Sequence, residues 1–256
     1  MCLILFALNE HPKYPLVLLA NRDEYFNRPT LYAHPWEEYS EMIAGRNQTA
    51  GGTWLGITKR NRFAAITNYR DPQRLNPDAQ SRGALTKNFL TGAQAPARYI
   101  DEIKSKDISY NGYNLLLSSS PGIMTHYSNI TSKTTILDKG IHGLSNHLLD
   151  TQWPKVKKGI RSFKQVLSEK IIDPKQLLEI MLNNKPASNG KLPSTGIDKD
   201  LERKLSSMFI NIPGYGTRCT TILMIDRHNQ ATFHEHTFNE AREEINQTTF
   251  TFHMNA

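Results

Sequence analysis

Short apolar runs separated by turn residues dominate the first part of the chain. Residues 2–8 form one uninterrupted apolar run and residues 16–20 another, with a proline-containing turn between them. Apolar runs of this length bounded by turn residues are typical of buried β-strands. The pattern predicts strands at 2–8, 16–21, 43–44, 53–58 and 62–68.

A helical period replaces this pattern in the middle of the chain. Val156, Ile160, Phe163 and Val166-Leu167 recur at i, i+4, i+7, i+10 and i+11, which is one face of a helix. Prolines suited to a first helical turn mark other starts. The predicted helices cover 82–90, 96–105, 153–183 (with a second helix beginning at Pro174) and 200–207. Further predicted strands are 113–118, 123–127, 134–137, 218–225, 231–236 and 248–253.

The order of these elements predicts an α+β fold. Strands, helices, helices and strands follow one another, which favours layered packing with the two terminal strand groups in or near the same sheet. The chain has 256 residues, with no internal repeat and no linker that divides it cleanly. We therefore expect one domain over 1–256.

Composition narrows the class of protein. Lys and Arg number 31 against 24 Asp and Glu, and the net charge of +7 is spread along the chain. This is typical of a basic solvated surface, and it also suits an anionic substrate or a membrane surface. No basic motif interleaved with aromatic residues is present, so we expect no nucleic-acid partner. No run approaches ~18 apolar residues, which predicts no integral membrane association.

Cysteine and histidine positions bear on location and metals. The two cysteines are Cys2 and Cys219, and no signal peptide precedes them, so a reducing cytoplasm without a structural disulfide is expected. His234 and His236 would share one face of a strand. Without further ligands this pair is interpreted as part of a surface strand, and no metal site is predicted.

The position of Cys2 has a chemical consequence. If residues 2–8 and 16–21 form a hairpin, paired positions sum to about 23, so Cys2 faces roughly residue 21, give or take two. The polar quartet Asn21-Arg22-Asp23-Glu24 ends the second run there. Charges at the end of a buried strand are costly unless they are paired or functional.

A cysteine at position 2 can carry both a nucleophile and a base. If Met1 is removed, the thiol (pKa ~8.5) and the free α-amine (pKa ~7.7–8.0) belong to the same residue. Such an amine can act as a general base near neutral pH. A nearby Arg favours the thiolate, and a nearby Asp can orient the amine. The alternative is that Met1 stays and Cys2 is a buried strand residue.

The quartet and several later motifs resemble one family. Asn21-Arg22-Asp23-Glu24 is similar to the motif that gives the NRDE family its name, which includes the transport and Golgi organisation 2 proteins. The other matching stretches run in order over nearly the whole chain. They are 51–56 (Gly-Gly-Thr-Trp-Leu-Gly), 67–72 (Thr-Asn-Tyr-Arg-Asp-Pro), 81–83 (Ser-Arg-Gly), 143–146 (Gly-Leu-Ser-Asn), 153–155 (Trp-Pro-Lys) and 215–218 (Tyr-Gly-Thr-Arg).

The resemblance implies a fold and a nucleophile. The family looks like the N-terminal-nucleophile hydrolases, with a four-layer αββα sandwich of antiparallel sheets, and is similar to the penicillin V acylase and bile salt hydrolase group. Cys2 would then be the nucleophile. Asp23, and Arg22 beside it, would contact its amine and thiol. Trp54 and Tyr69 are candidates for lining the pocket, and both also suit core packing.

Three further site residues follow from the resemblance. Asn68 is similar to the asparagine that helps to shape the site, and Asn146 to the one whose side chain lines the oxyanion hole. Arg218 is similar to an arginine that steadies the thiolate. Each also has a plain structural interpretation, because Asn often caps turns and Arg218 can be a sheet-surface charge.

One departure from the acylase pattern leaves two geometries open. Those enzymes have Arg-Asn-x-Asp, whereas Arg22 and Asp23 are adjacent here and would point to opposite faces of a regular strand. Either the strand bends, or Asn21 and Asp23 face the site and Arg22 pairs elsewhere.

Two functions are therefore carried forward. The first is a hydrolase that cleaves an amide or thioester of an acyl-type small molecule, with no cofactor. The second is a non-catalytic protein on the same fold that binds or transports haem or a lipid, with Cys2 as a candidate axial ligand.

Overall fold

The computed structural model of the chain describes residues 2–255, apart from the side chain of Cys2. These residues form fourteen β-strands and five α-helices. The strands are β1 (Cys2–Leu8), β2 (Leu16–Tyr25), β3 (Thr30–Trp36), β4 (Tyr39–Asn47), β5 (Leu55–Thr58), β6 (Phe63–Asn68), β7 (Tyr113–Ser120), β8 (Ile123–Ser128), β9 (Lys133–Leu137), β10 (Gly140–Leu144), β11 (Asn211–Ile212), β12 (Tyr215–Ile225), β13 (Gln230–Phe238) and β14 (Glu244–His253). The helices are α1 (Gly83–Thr91), α2 (Pro96–Ser105), α3 (Pro154–Leu167), α4 (Pro174–Met181) and α5 (Lys199–Lys204).

The strands form two antiparallel sheets of seven strands each. The first sheet has the order β10-β1-β2-β12-β13-β14, with β11 paired to β12. The second sheet has the order β3-β4-β5-β6-β7-β8-β9. The prediction that the two terminal strand groups lie in or near the same sheet holds for β1, β2 and β12 to β14, which share the first sheet, whereas β3 to β6 lie in the second.

Three apolar layers hold these sheets and helices together. One lies between the sheets and contains Phe6, Leu18 and Leu116. A second lies between the first sheet and helices α3 and α4, where Leu5 packs near Phe163. The third joins the second sheet to α1 and α2. The result is a helix–sheet–sheet–helix sandwich, which confirms the predicted four-layer αββα fold.

Helix α3 shows how the sequence pattern specifies this packing. Val156, Phe163, Val166 and Leu167 are all buried in the layer against the first sheet, and Ile160 packs against them. The helix starts at Pro154, whose missing N–H costs nothing in a first turn. The predicted helical face is confirmed.

The first hairpin has nearly the predicted register. Cys2 pairs with Arg22, and Leu8 pairs with Leu16, so paired positions sum to 24 instead of about 23. Side chains of β1 and β2 alternate between the two faces of the first sheet. Ile4 is buried between the sheets, whereas Leu3 is buried beneath the helices.

Strand β2 is four residues longer than predicted. Its last residues, from Asp23 to Tyr25, pair with Thr217 to Tyr215 of β12. The register then shifts between Thr217 and Cys219, so Arg218 is the extra residue of a β-bulge. This long-range pairing keeps the polar quartet in the sheet, which local sequence could not indicate.

Strands β3 and β10 were not predicted either. β3 contains Pro35 and has two register breaks, so its burial does not alternate regularly. β10 is five residues long and includes two glycines. None of the helices in residues 2–255 combines the length and apolar character needed to cross a bilayer.

Candidate active site

A cavity of about 390 Å³ opens at the end of β2, between the two sheets and the start of α1. Its wall is mainly polar. The wall includes Arg22, Asp23, Glu24, Arg28, Asn47, Thr53, Trp54, Ile66, Asn68, Gln80, Ser81, Arg82, Gly83 and Asn111. Four of the residues proposed from sequence, namely Arg22, Asp23, Trp54 and Asn68, therefore meet at one site.

The end of β1 explains why adjacent residues of β2 reach the same cavity. Arg22 is the residue paired with Cys2, the first residue of β1, and beyond it β2 pairs only with β12 in the described part of the chain. Neither β1 nor β10, which pairs only with residues 4–8 of β1, extends past this point, so β2 has an open edge here. Arg22 and Asp23 can therefore leave the strand on opposite faces and still line one opening.

Arg22 is almost completely buried between the sheets. Its guanidinium lies 4.1 Å from the ring centre of Trp54, which is a cation–π contact. The Nη2 atom is 3.7 Å from a carboxylate oxygen of Glu24, and the side chain is 5% exposed. The Nη1 atom has no hydrogen-bond partner among the described residues. The buried guanidinium of Arg22 therefore has a hydrogen-bond donor, Nη1, that no described residue accepts from.

Asp23 is a buried carboxyl group in the neighbouring position. Its Oδ1 atom accepts a 2.7 Å hydrogen bond from the Thr217 hydroxyl. Burial raises the pKa of Asp23 above its ordinary value, although Lys155, Thr217 and Arg22 oppose the shift. A cation close to Asp23 would offset the cost of burying its charge and so favour the ionised carboxylate.

Asn21 lies on the face of β2 opposite to Arg22, which is the face of Asp23, but it does not reach the cavity. Its amide donates hydrogen bonds of 2.9 Å to the carbonyl oxygens of Met181 and Met208. Its side-chain oxygen accepts one of 2.7 Å from Thr220. Both amide hydrogens are used, so Asn21 fastens β2 to the helical layer. The candidate binding residue Asn21 is outside the cavity wall.

Asn68 and Asn146 form a second polar group next to the cavity. The side chain of Asn146 donates a 2.9 Å hydrogen bond to the backbone oxygen of Asn68. The Asn146 backbone oxygen in turn accepts from the Arg70 N–H at 2.8 Å. Asn68 is in the cavity wall, whereas Asn146 is fully buried behind it.

Tyr69 points away from the cavity into a separate hydrogen-bonded chain. Its hydroxyl lies 3.0 Å from Nε2 of His147, whose Nδ1 is 2.9 Å from the Thr151 hydroxyl. Burial raises the pKa of Tyr69 and lowers the pKa of His147. Tyr69, a candidate for lining the pocket, is thus part of this hydrogen-bonded chain and not of the cavity wall.

Arg218 holds the loop that follows β2. Its Nη1 atom donates to the carbonyl oxygens of Tyr25 (2.8 Å), Phe26 (3.2 Å) and Arg28 (3.1 Å). Arg28 lines the cavity, but Arg218 does not. The bulged arginine thus fixes one rim of the opening from outside.

Residues 81–83 line the cavity without having been predicted as site residues. They form the start of α1 and one wall of the cavity, although they lie about sixty residues from the quartet in sequence. The Arg82 side chain also donates to the Gly112 carbonyl at 3.0 Å. The available signal was the Ser81-Arg82-Gly83 stretch itself, which is one of the motifs that resemble the family.

The histidine pair on β13 is consistent with its interpretation as part of a strand. His234 lies 2.9 Å from the Thr249 hydroxyl, and His236 lies 3.1 Å from a carboxylate oxygen of Glu244. No group of three or more His, Cys, Asp or Glu residues arranged to hold a metal occurs within the described residues.

Comparison with known sequences gives one family over almost the whole chain. The family model for Transport and Golgi organisation 2 matches residues 1–240. The Transport and Golgi organization 2 homolog of Mus musculus is 35% identical over 98% of this chain and 99% of its own length. The homolog from Homo sapiens is also 35% identical, over 92% of both chains.

Comparison with solved structures gives the fold. Penicillin V acylase from Agrobacterium tumefaciens superposes with a TM-score of 0.53 at 11% identity, over 99% of this chain and 86% of that one. A mutant of the conjugated bile acid hydrolase from Clostridium perfringens gives a TM-score of 0.52 at 11% identity, over 98% of this chain and 92% of that one. At this identity the similarity establishes the N-terminal-nucleophile hydrolase fold alone.

Proposed function

Because this chain belongs to the Transport and Golgi organisation 2 family and has an N-terminal-nucleophile hydrolase fold, we propose that it is a cytoplasmic hydrolase of an acyl-type small molecule. The bond cleaved is an amide or a thioester. The supporting observation is the register that pairs Cys2 with Arg22 at a cavity whose wall also contains buried Asp23.

The proposed reaction uses Cys2 twice, after removal of Met1. The α-amine takes the thiol proton as the sulfur attacks the substrate carbonyl, and a tetrahedral intermediate forms. The amine then gives this proton to the departing amine or thiol, which leaves an acyl-enzyme. Water, deprotonated by the same amine, attacks the acyl group and releases the acid, and the thiol is restored.

The surrounding residues have complementary roles in this proposal. The positive charge of Arg22 favours the thiolate of Cys2, and Asp23 holds the α-amine. Asn146 holds the backbone of Asn68 in position from behind the cavity wall. The oxyanion is held by donors that line the cavity, a device worth ~3 kcal/mol per donor. Arg218 acts through the loop that it fixes, rather than by touching the substrate.

The test combines intact mass with single-turnover kinetics. We expect protein made in a bacterial cytosol to lack one methionine and to release a burst of first product from a chromogenic acyl amide or thioester. Cys2→Ser and Cys2→Ala should abolish the burst and the acyl adduct, and Cys219→Ser, as the matched control, should retain both. A burst that persists without the Cys2 thiol contradicts the proposal.

A second candidate is supported by the apolar part of the cavity wall. Trp54 and Ile66 lie beside the Arg22 cation, a combination that suits a lipid or haem with an acidic group. The described residues in the wall include no His, Met or Tyr, so the Cys2 thiolate is the axial ligand that haem would require. A haem thiolate spectrum at micromolar protein, lost in Cys2→Ala, would support this function. The absence of both haem and acyl-lipid binding would exclude it.

A further inference from the structure

The unused donor of Arg22 requires a partner that the described residues do not supply. A buried, charged donor without an acceptor costs the free energy of its lost hydration. The ion pair with Glu24 spans 3.7 Å, which is too long for a hydrogen bond, and Trp54 covers only the face of the guanidinium. Because Arg22 lines the cavity, a ligand oxygen in the cavity could complete its hydrogen bonding.

The start of α1 faces the same cavity. Arg82 is the N-cap residue, but no side chain makes a capping hydrogen bond, and the first turn contains no acidic residue. The positive end of this nine-residue helix is therefore not neutralised by its own sequence. The N–H groups of Ala84 and Leu85 donate to the carbonyl oxygens of Ser81 and Arg82 at 3.4 and 3.0 Å. The start of α1 therefore attracts an anion mainly through the positive end of the helix dipole and the N–H of Gly83.

The backbone around this helix start is closely packed. The Thr53 N–H donates to the Gly83 carbonyl at 3.2 Å. A Cβ atom at Gly52 would lie 2.5 Å from the carbonyl carbon of Gly83. The absence of side chains at these two glycines allows the loop before β5 to cross the first turn of α1, which gives the cavity a rigid wall.

The charges of the wall favour an anion as well. Arg22, Arg28 and Arg82 are opposed by Asp23 and Glu24. Glu24 is shared, because one of its oxygens lies 3.7 Å from both Arg22 and Arg28. The wall therefore carries more positive than negative side chains, before the helix dipole is added.

We propose that the cavity contains an anion subsite, formed by Nη1 of Arg22 and the first turn of α1, which binds an oxyanion group of the substrate. The group is a carboxylate or a phosphate. This inference rests on the proposed function and specifies its substrate class, namely acyl compounds that carry a negative charge near the scissile bond.

Equilibrium binding of compounds with no scissile bond tests the subsite separately from hydrolysis. Octanoate, octyl phosphate and neutral octan-1-ol would be titrated calorimetrically into the full-length protein and into its Cys2→Ala variant. We expect at least one anion to bind about tenfold more tightly than octan-1-ol. The tighter of the two anions identifies carboxylate or phosphate as the group. Equal binding of all three compounds would overturn the proposal.

Two substitutions locate the subsite. Arg22→Met should reduce the anion preference about tenfold. Arg46→Met is the matched control, because Arg46 also stacks on a tryptophan (Trp36, 4.4 Å) and pairs with a glutamate, but lies outside the cavity wall. It should leave the preference unchanged. An equal loss in both variants would contradict the subsite.

Ser81→Asp keeps the proposal testable if Arg22→Met does not fold. An added carboxylate at the exposed start of α1 should weaken anion binding about tenfold, while the melting temperature stays the same or rises because the acid complements the helix dipole. Unchanged anion binding in this variant would refute the subsite. If the protein shows a Cys2-dependent product burst but binds anions no more tightly than the neutral compound, only the anion subsite is contradicted. If it prefers anions but shows no burst, only the proposed hydrolase activity is contradicted.

Discussion

At the scale of single residues, the region between the sheets contains more charge than an apolar core usually tolerates. Arg22 stacks on Trp54, and Glu235, from a strand on the other side of β12, is also almost completely buried. Oε1 of Glu235 accepts a 2.6 Å hydrogen bond from the Ala33 N–H, which links the first sheet to the second. These groups remain buried because each has a partner in the opposite layer.

Glu235 should make stability depend on pH. Burial raises the pKa of Glu235 above its ordinary value of 4.5, although Ala33, Cys219 and Arg22 oppose the shift. Between 4.5 and the raised pKa, the folded protein binds more protons than the unfolded chain, so its free energy of unfolding falls as pH rises. Glu235→Gln keeps the acceptor for Ala33 and removes this contribution.

Urea unfolding from pH 4 to pH 8 measures the effect. The stability of Glu235→Gln relative to the parent should increase with pH across this range. Glu37→Gln, at an exposed position, is the control and should show a constant difference. A parallel pH dependence of Glu235→Gln and the parent would contradict the expected titration.

Some residues of the site could be predicted from sequence, and others could not. The hairpin spacing placed Cys2 next to the quartet, because both strands are short and consecutive. The wall formed by Ser81 and Arg82 could not be predicted this way, since it depends on how the second sheet packs against the first. The position of Arg218 depended on a bulge that has no local sequence signal.

At the scale of elements, a buried ion pair joins the segment after β6 to α5. Nη1 of Arg70 lies 2.9 Å from Oε1 of Glu202, and both side chains are less than a tenth exposed. The Thr195 hydroxyl donates to the other carboxylate oxygen at 2.8 Å. The loop before α5 is thereby attached to the segment that carries Asn68.

Removing one member of this buried ion pair should lower the free energy of unfolding far more than removing a surface charge does. Arg70→Met leaves a buried carboxylate and should lower the free energy of unfolding by about 3–5 kcal/mol. Arg70→Met combined with Glu202→Gln should cost less than the sum of the single changes, with a coupling of roughly 0.5–3 kcal/mol.

Urea unfolding of the four proteins in this cycle gives the coupling. Arg74→Met is the control, because Arg74 is 79% exposed and its contact with Asp71 is 3.5 Å long. Its effect should stay within about 0.5 kcal/mol. Additive losses in the cycle would show that the pair is not coupled.

The elements predicted well are those with one dominant period. α2 was predicted at 96–105, and β1 at 2–8, with their observed bounds. β3 was missed because its two register breaks remove the alternation that a strand normally shows. The stretch 153–183 was predicted as helical, and the structure ends α3 at Leu167 before α4 begins at Pro174.

At the scale of the whole molecule, the first sheet joins the two ends of the chain. β2 lies between β1 and β12, and β12 supplies Ile222 and Leu223 to the layers on its two faces. Neither the layer between the sheets nor the layer under α3 is complete without the last part of the chain. The cavity is at the same junction, since Thr217 of β12 hydrogen-bonds to Asp23.

A fragment of residues 1–210 should therefore not fold. It lacks β11 to β14, which leaves an edge of β2 unpaired and exposes apolar side chains of two layers. We expect rapid proteolysis and no cooperative unfolding transition for this fragment. Adding residues 211–256 as a separate chain should restore protection if the missing strands are the cause. A cooperative transition in the fragment alone would contradict this expectation.

The pairing of β2 with β12 also sets an order of events during synthesis. Tyr25 and Tyr215 are partners, yet about 190 residues separate them, which at about 5–20 residues per second corresponds to roughly 10–40 s of translation. A hairpin of two strands is marginal alone, so β1 stays accessible through this period. An aminopeptidase thus has time to act on the N-terminus before β12 pairs with β2, so processing of the nascent chain does not have to compete with completion of the sheet.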